Sequence, residues 1–306
     1  MSKGRISSTQ RKTRRSSRSK STVKSSGKAA VKRTQKKIDL ALKRYLGLSL
    51  SGGKSDKACL AVIEHYPDQK RVFLARLVEK IKTEEFISAD LKIHELIQQY
   101  GKAIETLALD VPLTLPKCMT CNLKCPGFES CKEDEMIWMR EHFEAILREK
   151  KPKKLFTPYT QRCVDAYLNH SLEESFEVHH ALGANLAPLT ARAHFITRRL
   201  DLNLIEVNPL ISFYRLGQKL KMNKSQIKIH RHSASGEESR RLFLQALSET
   251  GEIFIYQQDL KSMIENNHAF EAFLCAYVAH LQAQKKTEPR PKGFPKDEAW
   301  VNFPKI

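Results

Sequence analysis

Tyr45-Leu46-Gly47-Leu48-Ser49-Leu50 is the stretch from which the rest of the chain can be ordered. Side chains alternate across a strand, so Leu46, Leu48 and Leu50 share one face while Gly47, Ser49 and Ser51 share the other. The leucine face is built for a core. The small, polar face suits a close neighbour or a site. The polar segment Ser51–Lys57 then makes a turn, and the apolar runs Ala58–Tyr66 and Arg71–Val78, parted by Pro67-Asp68, complete three consecutive antiparallel strands. Ser51-Gly52-Gly53-Lys54-Ser55 superficially suggests a phosphate-binding loop. Such a loop needs glycine where Leu48 stands and a helix where Ala58–Tyr66 reads as a strand, so a hairpin turn is the better account.

Downstream, Phe86, Ile87, Leu91, Ile93, Leu96 and Ile97 recur near helical spacing, which predicts a helix over Glu84–Tyr100 closed by Gly101. Thr106–Asp110 is a short buried strand, parallel to the first by the usual crossover logic. A helix is expected over Glu133–Lys150, helical stretches over Thr160–Leu168 and Pro188–Leu200, and a strand over Asn203–Val207. Glu237–Leu247 and His268–Gln282 read as later helices, and Lys285–Lys296 as a loop before the closing Trp300–Phe303. The order implies an α/β domain with a mixed sheet.

Asp110 ends its strand on the face shared with Thr106 and Ala108, and Ser49 occupies the corresponding face of the first strand. If the two strands are neighbours, both residues lie at their carboxyl ends, the edge that ligand sites of α/β sheets favour. A capping role for Asp110 before Val111-Pro112 is an equal alternative. In the last long helix Phe270, Phe273, Leu274, Tyr277, Val278 and Leu281 form an apolar stripe, read as core packing. His268 and Glu271 are three residues apart and so adjoin on that helix, beside the stripe. Packed on the sheet, the helix would bring them to Asp110, and oxygen-rich clusters of this kind bind hard divalent cations. Two solvated residues in a first helical turn, with Asn267 as a cap, are the plainer alternative.

Gly47-Leu48-Ser49, Leu109-Asp110-Val111-Pro112-Leu113, Arg162-Cys163-Val164-Asp165, Ala181-Leu182-Gly183-Ala184, Glu206-Val207-Asn208-Pro209 and His268-Ala269-Phe270-Glu271-Ala272 occur in that order. Together they resemble the predicted RNase H-like nucleases grouped as domain-of-unknown-function family 429, from about Tyr45 to the carboxyl end. The resemblance implies a ribonuclease-H-like mixed sheet with helices on both faces and a Cys-rich helical insertion at about residues 111–202, within a domain spanning 45–306. It further implies that Ser49, Asp110 and Glu271, with His268, occupy the positions that bind catalytic magnesium or manganese. Ser49 departs from the pattern, which has an Asp there, and a hydroxyl is a far poorer magnesium ligand than a carboxylate. Asp56 is a candidate substitute, though its polar turn gives no support. Arg162 and Asp165 are read either as a phosphate contact or as a local ion pair, and Glu206 either as lining the same cleft or as a solvated strand end.

Cys118, Cys121, Cys125 and Cys131 lie within fourteen residues of a loop that also holds Pro116, Pro126 and Gly127. Four thiolates at such spacing can close around one ion and give shape to a loop with little core. Structural zinc is the leading expectation; an iron–sulfur cluster and unliganded thiols stay open. Cys59, Cys163 and Cys275 sit in apolar contexts and are read as core.

The charge is uneven. Residues 1–44 carry 16 of the 53 Lys and Arg side chains against one acid, Asp39, which concentrates +15 of the chain's +19 there. Such a segment, rich in serine and poor in large apolar groups, is expected to be a disordered basic arm. Its natural partner is the phosphate backbone of nucleic acid, with a merely solvated tail as the alternative and an organelle transit peptide ranked lower. No apolar run is long enough to span a bilayer and no secretory signal is visible, so no membrane partner and a cytoplasmic location are expected. Two functions compete: a metal-dependent nuclease, and a catalytically degenerate nucleic-acid-binding module on the same fold. A phosphate-handling enzyme of the related actin-like fold is disfavoured by the lack of a glycine-rich phosphate loop.

Overall fold

The structure, a computed structural model, describes residues 41–52, 56–149 and 156–306. Most of the expected basic arm, the Gly53-Lys54-Ser55 part of the turn, and Lys150 at the end of its expected helix lie outside the described residues.

Six strands form one mixed sheet in the order β3-β2-β1-β4-β5-β6. β1 (Lys43–Leu50), β2 (Ala58–Tyr66) and β3 (Arg71–Ile81) make an antiparallel meander, with Leu50 opposite Ala58 across the first turn. β4 (Ile104–Leu109) lies parallel to β1, pairing Gly47 with Ala108 and Leu48 with Leu109. β5 (Leu204–Val207) and the two-residue β6 (Val301–Asn302) continue the parallel half.

Both faces of the sheet are covered. Leu46, Leu48, Leu50, Leu107 and Leu109 pack on α1 (Ala89–Gln98) and α5 (Leu186–Thr197). The opposite face, with Tyr45, Cys59, Ala61 and Ala108, meets α9 (Asn267–Ala283). Around α9 stand α3 (Asp134–Glu149), α4 (Cys163–His170), α6 (Pro209–Lys219), α7 (Gly236–Glu249) and α8 (Gln257–Glu265), and α2 is the single turn Lys117–Thr120. No helix among the described residues is long and apolar enough to cross a membrane.

Three expectations change. The first helix starts at Ala89: Ser88 accepts a hydrogen bond from the Leu91 amide as its cap, and Glu84–Ile87 instead close an isolated β-bridge. Phe86, Ile87 and Leu91 are consequently exposed, leaving Ile93 and Ile97 as the buried anchors. The apolar stripe on α9 extends right round the helix, because Ala269–Leu281 are all buried between the sheet and the helices outside it. Its cap is Asn266, whose side chain accepts from the His268 and Ala269 amides, and Asn267 is the first helical residue. A further helix, α6, is absent from the expected order, although Asn208 and Pro209 form its cap and first turn and the Asn208 side chain accepts from the Ile211 amide.

Candidate functional site

Gly47 brings α9 down onto the sheet. A Cβ there would stand 2.0 Å from the Ala272 carbonyl oxygen and 2.3 Å from the Ala276 nitrogen. Only glycine permits that approach. Ser49, two residues on and on the same face, therefore lies under the first turn of α9. Ser49 Oγ donates to Asp110 Oδ2 at 2.5 Å and lies 3.1 Å from His268 Nδ1. The Leu50 amide donates to Asp110 Oδ1 at 3.1 Å. Asp110 follows β4 directly, its own amide donating to the Leu48 carbonyl, so β1 fixes both ends of the residue.

Glu271 is buried one turn into α9. Its Oε1 accepts from His230 Nε2 at 3.1 Å and from Arg231 Nε, while its Oε2 lies 3.7 Å from His268 Nδ1. His230 packs against the Phe213 and Phe270 rings, and burial lowers its pKa against the pull of Glu271. The loop that carries His230 and Arg231 is held from behind. Arg240 donates to the His230 carbonyl and to the carbonyls of Met263 and Ile264 at the end of α8.

Asp110 and Glu271 are set apart in charge. Burial first, then the nearby Glu271 carboxylate, push Asp110 up to about 7 against the Ser49 and Leu50 hydrogen bonds. Burial would raise Glu271 as well, but the Arg231 charge and the His230 contact outweigh it and hold the group at about 2. One carboxyl group thus titrates near neutrality beside one that stays ionised. Asp110, His268 and Glu271 each offer a ligand atom, and these atoms lie within 4.8 Å of one another, a spacing that suits a single cation.

These groups line a cleft of about 400 Å³ at the carboxyl ends of β1, β4 and β5. Arg162, Asp165 and Glu206 line its floor, yet all three are buried. Arg162 reaches Glu206 through both terminal nitrogens at 2.6 and 2.7 Å, Asp165 at 2.8 Å and Thr114 at 3.2 Å, so its five N–H donors are engaged within the protein. Asp165 also accepts from the Arg162 and Ala181 amides, and Glu206 from the Leu113 amide. Of the two readings of Arg162 and Asp165, the geometry displays the ion pair, extended to Glu206. Asp56 is exposed and is not among the cleft residues.

Arg231 was not visible as a site residue in the sequence, since a loop residue carries no periodicity. Its side chain is 53 % exposed while bound to Glu271, which makes it a cation at the mouth of the cleft. The run His230-Arg231-His232 was the available signal.

Cys118, Cys121, Cys125 and Cys131 face a separate cavity of about 350 Å³ with Lys117, Leu123, Lys124 and Met136. Burial, then the charges of Cys131, Cys125 and Cys121, raise the Cys118 thiol, as expected for four sulfurs around one space. Cys59, Cys163 and Cys275 are buried in the core.

No curated protein and no solved structure matches the chain. A family model does, over residues 56–296, a span that includes Asp110, the Arg162 network, the four clustered cysteines and the start of α9. The chain belongs to the family described as "Protein of unknown function (DUF429)".

Proposed function

We propose that the protein is a metal-dependent nuclease of ribonuclease-H-like architecture, cleaving phosphodiesters of DNA or RNA in the cleft above Asp110. The observation that carries the reading is the convergence of Asp110, His268 and Glu271 within 4.8 Å at the carboxyl edge of the parallel strands. Two carboxylates and an imidazole are a donor set that fits magnesium or, better, manganese. A bound ion of that kind would supply Lewis-acid polarisation of the phosphoryl oxygen and an activated water.

The chain's own groups divide the remaining work. Ser49 and the Leu50 amide aim the Asp110 carboxylate into the cleft. Asp110 gives up its proton near neutral pH, so the site becomes a dianionic cradle where it is needed. Arg231 keeps Glu271 ionised and, half exposed in the cleft lining, offers a guanidinium to a phosphate. His268, at the rim beside Ser49, supplies the nitrogen donor of the set. The buried Arg162, Asp165 and Glu206 network keeps the floor rigid. The basic arm read from residues 1–44 would add affinity for the polyanion without sequence preference.

A specific observation favours a second reading, a binding module without catalysis. Ser49 stands where a third carboxylate is expected, and Arg231 already neutralises Glu271. Labelled single- and double-stranded DNA and RNA, incubated with the protein and magnesium or manganese, decide between the two. The nuclease reading expects cleavage that chelator abolishes and Asp110→Ala or Glu271→Gln removes. Cleavage unaffected by Asp110→Ala would end it, and salt-sensitive binding without cleavage would establish the second reading.

A further inference from the structure

We infer that Cys118, Cys121, Cys125 and Cys131 hold a four-iron iron–sulfur cluster, in preference to a single zinc ion. Zinc–thiolate bonds of about 2.3 Å place tetrahedral sulfurs roughly 3.8 Å apart, leaving no space between them. The four cysteines do not close up in that way. Among the described residues, Asp110, His268 and Glu271 are the one set of three metal-binding side chains whose ligand atoms gather within 4.8 Å, and no three of the cysteine sulfurs do so. They instead line one open pocket of about 350 Å³, set apart from one another around it. An iron–sulfur cube binds each cysteine through a different iron, so it demands a wider ring and fills the space inside.

The surroundings suit such a group. Leu123, Pro126 and Met136 give the cavity an apolar wall, while Lys124 and Lys132 supply positive charge against thiolates and cluster. Cys118 and Cys125 are exposed and Cys121 and Cys131 half-buried, so the thiols are accessible for assembly. The segment is also tethered as a ligand loop must be. Arg140 of α3 donates to the carbonyls of Phe128 at 2.6 Å and Cys131 at 2.8 Å, and Lys117 pairs with Glu133 at 3.0 Å. Its own regular structure amounts to the turn α2 and a three-residue 3-10 turn at Phe128–Ser130, so the ligand would supply the cohesion that packing does not. The cysteine cavity and the cleft share no lining residue, which makes the cluster independent of the nuclease reading.

The full chain, purified under nitrogen and reconstituted with ferrous ion and sulfide, tests the assignment. The expected content is about four iron and four sulfide per chain, with broad visible absorption and little zinc. Cys121→Ser combined with Cys125→Ser should lower that absorption at least tenfold, while Asp110→Ala should leave it unchanged. Should the double variant fail to fold, the Mössbauer spectrum of wild-type protein reconstituted with iron-57 decides on its own, the quadrupole doublet of a four-iron cluster supporting the assignment and its absence refuting it. One tightly held zinc per chain without iron would overturn it. So would a reconstituted chain that holds neither metal and whose four thiols are all alkylated by iodoacetamide.

Discussion

Gly47 and Ala272 touch backbone to backbone: the space for a Cβ on Gly47 is taken by the Ala272 carbonyl oxygen, 2.0 Å away. The contact sets the height of α9 above β1 and with it the distance from Glu271 and His268 to Ser49 and Asp110. Gly47→Ala must therefore lift the helix or bend the strand, because the obstruction is main chain and cannot turn aside. The expected cost is about 3 kcal/mol, the upper part of the range for overpacked cores. Urea unfolding measures it. Cleavage by whatever folded protein remains should fall further than stability alone explains, since the ligand atoms move apart.

Asp110 gives the fold an unusual response to pH. Its folded-state value near 7 lies above the ordinary 3.8, so the folded protein holds the proton more tightly than the unfolded chain. The associated stability is fully present below about pH 4 and drains away as pH rises through 7. Glu271 acts in the opposite sense, contributing above its ordinary 4.5 and losing that contribution as pH falls toward 2. Between pH 5 and 8 the Asp110 slope runs against that of the buried histidines, whose lowered values (about 4 for His280) make the fold gain stability as pH rises toward 6.5. Denaturant midpoints taken in chelator across that range should fall for the wild type relative to Asp110→Asn as pH rises to 7, and parallel curves for the two proteins would show that Asp110 does not titrate there.

Ser49→Asp sets a third carboxyl group beside Asp110. Without a divalent cation the like charges should lower the melting temperature. With millimolar manganese the loss should be recovered or exceeded, because the ion binds the folded state alone. Calorimetry with and without manganese reads both effects. Equal melting temperatures in the two conditions would count against a cation at this position.

Arg162→Ala strands two buried carboxylates, Asp165 and Glu206, and should destabilise the protein by about 3–5 kcal/mol. Lys261→Ala, which removes an exposed pair with Glu265, should change stability by no more than about 0.5 kcal/mol. Thermal unfolding compares them directly. A mild effect at Arg162 would mean that water reaches the floor of the cleft.

Deleting residues 1–40, which stops short of the start of β1, should weaken binding to DNA or RNA and flatten its dependence on salt. A filter-binding titration over several salt concentrations measures the slope. An unchanged slope would assign the polyanion contacts to the folded domain.

Strand alternation made the meander and the leucine face legible in the sequence, since a period of two survives wherever one face is buried. The convergence of Ser49, Asp110, His268 and Glu271 followed once β1 and β4 were taken as parallel neighbours. Other parts left a weaker trace. Phe86, Ile87 and Leu91 mimicked a helical stripe in a segment that Ser88 actually caps, so apolar spacing extended the helix too early. α6 goes unread although Asn208-Pro209, directly after the expected strand Asn203–Val207, is a pair that starts helices well. His230 and Arg231 answer to Glu271 across forty residues, and only the folded chain reveals such a pairing.

Arg162, Asp165 and Glu206 also constrain how this chain can change over generations. Arg162 is the one cation between two buried acids, so its loss alone strands both carboxylates in the interior, whereas loss of either acid leaves a matched pair. The arginine is therefore the position least free to vary, and a family member that has lost it should carry neutral side chains at both acidic positions.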